Sequence, residues 1–519
     1  MHSRRRFLAS AGGLAAATLL APASLDQALA GTRRVRRFGR ASFPDGVLSG
    51  DPRPDGVVLW TRLADVSGKG SVHLEVAKDR GFRKVVATKD IATNESKNFT
   101  AKVAVRGLDP HERYYFRFFT RRSNGPVGRV QTAPAPDSKE TVRFAFFSCQ
   151  EYTFGYYNAH ALMAKDDLDF VLNLGDYIYS DVFFGPPQGV RSANFTTSMG
   201  FSAVTVDEYR QRYQAYRSDK NLQRVHAQFP LISCWDDHEV QNDYSGGDPS
   251  GGSVSGDPYT PQRRDDAYRV FFEQMPTFPI GTSRLYHKAA FGRTLDLFVL
   301  DERQYRAANP CGDTTGPPCA DLDEPRTMLG AAQLPFLTSG LTRSKATWKV
   351  IANEVVMSVL KADAIRFADF DAWDGFPVER EAILRTVAKV DDVIFATGDY
   401  HTTIAADVQT ADGKKVAPEI AGPSISSASD AEVASVVGQP GFGTPDNPTV
   451  PPAQLQAITS ANPWMTDYDP IHHGYVRCEA SSSQFKATVR KLETVRQVGT
   501  ALAAEDTYTV HRGQRGVKG

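Results

Sequence analysis

The sequence predicts an α/β protein in which a small β-sandwich precedes a larger layered α/β domain. Three observations carry this. Between residues 43 and 131, short segments of β-type alternation are separated by turn residues. A Pro-rich linker, Thr132-Ala133-Pro134-Ala135-Pro136-Asp137-Ser138, follows them. Beyond it, apolar strand-like runs alternate with segments whose apolar residues recur at helical spacing.

In chain order, the first region predicts strands at 56–61, 71–76, 99–105 and 113–118. After the linker, strands are expected at 142–148, 170–174, 231–235, 295–300, 348–352 and 393–397. Helices are expected between them, at 158–165, 206–228, 264–274, 331–341 and 378–387. Two closing strands, 474–478 and 485–491, are expected to complete a second sheet. No solenoid-type internal repeat is present.

The 519-residue length exceeds one usual hydrophobic core, so one large domain and a smaller one are expected. Basic and acidic residues balance at 60 each, which gives no overall field toward nucleic acid or anionic lipid. At the amino end, Ser3-Arg4-Arg5-Arg6-Phe7-Leu8 leads an Ala- and Gly-rich run and then Ala28-Leu29-Ala30, a small-x-small cleavage pattern. These features in that order read as a twin-arginine signal over residues 1–30, implying export by the twin-arginine translocase to the periplasm, cell wall or medium. A membrane anchor is the weaker reading, because Gly12, Gly13 and Pro22 interrupt a run shorter than the roughly 20 residues of a bilayer span. No later run is apolar enough to cross a membrane. Domains of 31–137 and 138–519 then follow.

The cysteines are Cys149, Cys234, Cys311, Cys319 and Cys478, an odd number that leaves at least one unpaired. Cys311 and Cys319 bracket a Gly-, Thr- and Pro-rich loop that suits a local disulfide. Cys234 and Cys478 sit in apolar strands and read as buried thiols. Cys149 needs a separate explanation.

Reactive residues concentrate where the predicted strands end. The first ends in Ser148-Cys149-Gln150, the second in Gly175-Asp176-Tyr177-Ile178-Tyr179, and the third in Trp235-Asp236-Asp237-His238-Glu239. The later ones end in Asp301-Glu302-Arg303, Asn353-Glu354 and Gly398-Asp399-Tyr400-His401. Ligands gather at the carboxyl edge of such sheets, so these groups are expected to converge. Carboxylates brought together without compensation repel one another and resist ionising, so the expected occupant is metal. Thiolate, phenolate and imidazole suit a transition metal, whereas carboxylate and amide oxygens suit a hard cation, so two different metals fit the mixture. Taken singly, each residue has an ordinary reading. Asp176 reads as a turn residue, Tyr179 as a core aromatic, Glu354 as a cap or surface ion pair, and Arg303 as a salt-bridge residue.

The order Cys149, Gly175-Asp176-x-x-Tyr179, Asp237-His238-Glu239, Glu354 and Gly398-Asp399-x-His401 resembles the metallophosphoesterase signature in its PhoD-type variant. That is a family of alkaline phosphatases and phosphodiesterases. Gly46-Val47-Leu48-Ser49-Gly50-Asp51-Pro52 with Leu59-Trp60-Thr61-Arg62 is similar to its first-domain motif, so the resemblance covers nearly the whole mature chain. It implies an Ig/fibronectin-like β-sandwich followed by a double-sheet αββα catalytic domain. It also implies ferric iron on Cys149, Asp176, Tyr179 and His401, with Asp176 bridging to calcium on Asp237, Asp399 and a residue of Asn353-Glu354, Glu354 being the first choice. His238 is then the candidate to protonate the leaving oxygen, and Arg303 to grip a phosphate oxygen. Asn242 and Asp243 are weaker candidates for supporting contacts. Small phosphate esters are the implied substrates. A phospholipase D-like phosphodiesterase acting on phospholipid or wall polymer is the alternative, and a non-catalytic binding protein on the same fold is the alternative of another class.

Overall fold

A computed structural model describes residues 35–182, 188–193, 195, 202–248, 250–251, 259–311, 315–499 and 501–517. The signal reading at 1–30 lies outside the described residues.

Seven strands precede the linker: β1 (Val47–Arg53), β2 (Gly56–Arg62), β3 (Gly70–Ala77), β4 (Val85–Thr93), β5 (Thr100–Arg106), β6 (Arg113–Phe119) and β7 (Asn124–Gln131). Strands β4-β3-β6-β7 form one antiparallel sheet. It packs on β1, β2 and β5 around Val57, Leu59, Leu74, Val76, Phe116 and Phe118, which gives the sandwich its core. The inward residues alternate along β6, with Tyr114, Phe116 and Phe118 buried.

The β1–β2–β5 layer also belongs to a larger sheet. Gly50 of β1 pairs in parallel with Leu231 of β10 (Pro230–Cys234), so the nine-stranded sheet runs continuously through the linker's two sides. A Cβ at Gly50 would lie 2.5 Å from the Pro276 carbonyl and 2.6 Å from that of Leu231, so only glycine admits this approach. The sheet's parallel centre is β8 (Val142–Phe147), β9 (Phe170–Leu174) and β10.

The second sheet contains β11 (His287–Phe291), β12 (Leu295–Val299), β13 (Trp348–Asn353), β14 (Val393–Thr397), β15 (Thr403–Gln409), β16 (Lys415–Ala421) and β19 (Met465–Asp469). A two-stranded ribbon of β17 (Gly443–Thr444) and β18 (Asn447–Pro448) stands apart. The closing strands β20 (Gly474–Ala480) and β21 (Gln484–Leu492) do not join the second sheet as expected. They extend the first: Val476 pairs with Phe146 and Cys478 with Phe144, and β22 (Leu502–His511) forms the outer edge. The physical reason is that β8 would otherwise carry an unpaired backbone edge between buried faces.

Along β12, Leu297 and Val299 face the core between the sheets, while Phe298 and Leu300 face the helices outside. Both faces are buried, which explains the continuous apolar runs in the sequence. Helices α5 (Gly330–Arg343) and α6 (Pro377–Val387) cover the second sheet through Leu337, Leu341, Ile383 and Leu384. Helices α1 (Asn158–Met163), α2 (Val206–Arg217), α3 (Lys220–His226) and α4 (Pro261–Gln274) contribute to the core of the first. The helix expected over 206–228 is two, because the Asp219 carboxylate caps a new start by accepting from Asn221 N–H at 2.8 Å and Leu222 N–H at 3.2 Å. Helices α7 (Asp430–Val436) and α8 (Pro452–Ala461) follow β16. The Cys311–Cys319 disulfide forms, and Cys149, Cys234 and Cys478 are buried thiols.

Candidate metal centre

Parallel strands deliver their carboxyl ends to one edge of each sheet, and the chain turns sharply there. Cys149, Asp176, Asp399 and His401 all adopt left-handed backbone, with φ of 56°, 52°, 63° and 51°. Such a conformation at four non-glycine positions is held against a local cost, and it concentrates at functional sites. Gly175 (φ 100°) lets the β9 and β10 loops meet: a Cβ there would lie 2.4 Å from Asp236 Cβ.

The turns bring together three groups of potential ligand atoms, each within 4.8 Å: Cys149, Asp176 and His401; Asp176, Asp237 and His238; and Asp236, Asp237 and Asp399. Asp176 and Asp237 each belong to two of them. Tyr179 joins the first, its hydroxyl 2.9 Å from Asp176 Oδ2 and 3.2 Å from His401 Nε2. The Ala428 carbonyl, 2.7 Å from His401 Nδ1, accepts a hydrogen bond from Nδ1–H, which fixes the proton on that nitrogen and leaves Nε2 as the candidate ligating atom.

The electrostatics require compensation. Burial first, and then neighbouring Asp237, Asp236, Glu239 and Asp399, push the Asp176 carboxyl well above its ordinary range. Burial and then Asp236 do the same to Asp399, burial and Asp176 to Cys149, and burial and Asp176 to Tyr179. Burial lowers His401 to about 4, so it is neutral and ready to ligate. Anionic ligands crowded in a dry site hold their charge only beside cations.

Two family signatures cover this architecture: PhoD-like phosphatase matches residues 144–489, and the PhoD-like phosphatase N-terminal domain matches residues 27–134. The chain belongs to the PhoD-like phosphatase family. It is 34% identical over 535 residues to alkaline phosphatase D of Bacillus subtilis (strain 168), spanning 99% of this chain and 88% of that protein. The solved structure of PhoD superposes with a TM-score of 0.80 at 32% identity, covering 93% of this chain and 92% of the other. A purple acid phosphatase from yellow lupin (Lupinus luteus) seeds shares the fold, with a TM-score of 0.55 at 12% identity over 91% of this chain and 76% of that one. The family's expected mixed α/β fold is the one observed, and the chain is a phosphate-ester hydrolase. The non-catalytic alternative is set aside.

Glu354, a residue of the PhoD-like signature, and Arg303, the candidate phosphate contact, both make contacts that the sequence did not predict. Glu354 lies in none of the three ligand groups. Its backbone N–H donates to Glu302 at 2.7 Å while its own carboxylate accepts from the Glu302 N–H, so the two acids clasp adjacent loops. Arg303 does not reach for phosphate: it is fully buried, ion-paired to Asp236 and Asp371 at 2.5 and 2.6 Å and 3.7 Å from Asp237. The sequence cannot reveal this, because Asp371 lies 68 residues further on, in a loop of no strand-end pattern. His238 lies in the second group beside Asp176 and Asp237, its ring stacked on Tyr179 at 4.1 Å and its Nε2 3.9 Å from Asp237 Oδ2.

Sequence reasoning passed over Asp236, which completes the third group, and Glu239, which organises the loops. Asp243 supports Asp237 by donating its N–H to Oδ2 at 2.7 Å. Ser427 donates to the Tyr179 hydroxyl at 2.8 Å. Gly246 and Gly247 are pinned beside the site: their N–H groups donate to the carbonyls of Arg303 and Arg306 at 2.9 and 3.0 Å. His473 is likewise structural, held by Glu432 at 2.8 Å and Ser424 at 3.0 Å.

Proposed function

We propose that this phosphoesterase hydrolyses small phosphate esters with a water activated at a two-cation centre in which Asp176 is the shared ligand. The observation that carries this reading is the membership of Asp176 in two ligand groups at once. The donor chemistry divides accordingly. Cys149, Tyr179 and His401 offer sulfur, phenolate and imidazole, a set suited to Fe3+. Asp237 and Asp399, with Asp236 beside them, offer oxygen alone, a set suited to Ca2+. The buried Asp236 Oδ2, Asp237 Oδ1 and Glu354 Oε1 have no hydrogen-bond partner among the described residues, which suits them as ligand atoms. When bound, such a cation pair clamps phosphoryl oxygens and lowers the pKa of water toward neutrality.

The chain's own groups supply the rest. His238, stacked on Tyr179 and reaching the surface of the cluster, donates a proton to the leaving oxygen. Arg303 acts from behind as a positioning residue, fixing Asp236 and Asp237 and offsetting their mutual repulsion. We read 31–137 as the N-terminal segment and 138–519 as the catalytic segment; of the former, β1, β2 and β5 lend strands to the nine-stranded sheet. Export by the twin-arginine translocase is supported by Arg4-Arg5-Arg6 and the Ala28-Leu29-Ala30 site. Among the described residues no helix is long and apolar enough to cross a membrane.

The test pairs metal analysis with hydrolysis of a nitrophenyl monoester, its bis-ester and a phospholipid. Asp176→Asn and His401→Ala lose metal and turnover together, while His238→Ala keeps its metal and slows about 10²–10⁴-fold. Full activity in Asp176→Asn would sink the shared-ligand reading. Preference for the phospholipid over both nitrophenyl esters would favour the phospholipase D-like alternative.

A further inference from the structure

The amino ends of β12, β13 and β14 open onto the face away from the metal centre, about 17–20 Å along strands of five or six residues. Two clefts of about 840 and 850 Å³ lie there, and Ser344, Lys345 and Ala346 line both, so they form one groove in two parts. The chain is neutral overall, with 60 basic and 60 acidic residues. The groove is not: eight basic residues line it against five acidic ones.

Its acids are already engaged. Asp296 is held by Lys288 at 2.9 Å and Ser344 at 2.7 Å, Asp391 by Arg515 at 2.8 Å, and Asp392 by the Gly513 N–H at 2.6 Å. Asp51 is held by Thr277 at 2.7 Å and Asp55 by Arg106 at 3.3 Å. By contrast Arg53, Arg293, Arg343, Lys345 and Lys389 are exposed and make no ion pair among the described residues. The scaffold beneath them is fixed: the Arg293 N–H donates to the Ser138 carbonyl at 2.7 Å, and Thr294 Oγ1 to Glu140 O at 2.7 Å.

We infer that this groove binds an extended polyanion built of repeated phosphate groups, at a site separate from the metal centre. Five uncompensated cations spread over two connected clefts match a chain of charges better than a single anion. A membrane surface fits less well, because the cations line concave clefts and none of the exposed large aliphatic or aromatic residues lies in the groove to insert into lipid. Single-stranded nucleic acid lacks an exposed aromatic to stack on. The inference does not depend on the two-cation reading.

The test measures binding of long-chain inorganic polyphosphate to the full chain at several salt concentrations. Arg293→Glu, Arg343→Glu and Lys345→Glu combined should weaken binding at least tenfold. The slope of log affinity against log salt should fall by about 2, at roughly 0.7 per cation lost. Hydrolysis of nitrophenyl phosphate should stay unchanged, and the Gln triple variant, which cannot introduce repulsion, should give an intermediate loss. Asp176→Asn should bind polyphosphate normally. Unchanged affinity in the Glu triple variant overturns the inference, as does loss of binding in Asp176→Asn, which would put the polymer at the metal centre. Phosphatidylglycerol vesicles captured through the same three cations more tightly than polyphosphate would overturn it in favour of a lipid surface.

Discussion

The Glu239 carboxylate holds the backbone of Asp176, accepting its N–H at 3.1 Å. It also accepts from Tyr177 N–H at 2.7 Å and Asp236 N–H at 2.9 Å, so one buried side chain ties the β9 loop to the β10 loop. Glu302 repeats the device across the second sheet, accepting from the N–H groups of Glu354 and Val355 at 2.7 and 2.9 Å.

Glu239→Gln leaves an amide nitrogen where a carboxylate oxygen accepted a hydrogen bond. Each charge-assisted bond of this type is worth about 1.5–3 kcal/mol, so a variant losing one or two is expected to be less stable by several kcal/mol. Because the bonds fix Asp176, metal affinity should fall more than tenfold, and kcat should fall with it when metal is limiting. Equilibrium dialysis against a metal buffer checks this, with excess metal restoring part of the rate. A stability loss with unaltered metal affinity would assign Glu239 to folding alone.

Gly175→Ala puts a Cβ 2.4 Å from Asp236 Cβ at a backbone φ of 100°. Neither atom can yield, since both sit on loops held by Glu239. The expected cost is about 1–3 kcal/mol with displaced ligands. Thermal unfolding and metal content, measured together, should both decline.

Asp371 carries an acid-sensitive part of the stability. Burial acts to raise its carboxyl, but Arg303 and Arg306 outweigh burial and hold it down at about 2. A carboxylate depressed below its unfolded value of about 4 contributes stability that is complete above that pH and disappears as pH falls through about 2. Asp371→Asn leaves two buried guanidinium groups short of a partner, and about 3–5 kcal/mol of stability should be lost at pH 7. Denaturant unfolding should show the gap between variant and wild type narrowing from pH 4 toward pH 2. A gap independent of pH would contradict the assignment.

Strong chelators should inactivate the enzyme, because buried carboxylates lose their compensation and protonate. Prolonged dialysis should abolish nitrophenyl phosphate hydrolysis, and calcium should restore it if iron is retained through Cys149. Hydrolysis that survives dialysis unchanged would remove calcium from the centre.

Much of the fold was legible because strand and helix periodicities are local. Phe170–Leu174 and Val393–Thr397 were read to the residue, since both faces of these strands are buried and their apolar runs are unbroken. Strand ends then pointed to Cys149, Asp176, Asp237, Asp399 and His401. Glu354 stands at a strand end, but that adjacency says nothing about which way its carboxylate turns: one oxygen accepts from the Glu302 N–H, and the other is buried without a hydrogen-bond partner among the described residues. The ordinary reading of Arg303 as a salt-bridge residue is the one observed, but its partner Asp371 could not be named, because it is remote in the chain. The partner of β20 was missed because sheet pairing is a long-range choice between open edges.

The sequence by itself determined that reactive residues stand at the ends of apolar strands, because alternation and turn chemistry act over a few residues. Only the tertiary structure decided which of those residues bring their candidate ligand atoms together. That depends on left-handed turns at Cys149, Asp176, Asp399 and His401, on close loop contact at Gly175, and on Glu239 and Arg303 bonding across distant segments. Such contacts exist only once two sheets have packed face to face, and their energies belong to pairs of residues that no local window contains.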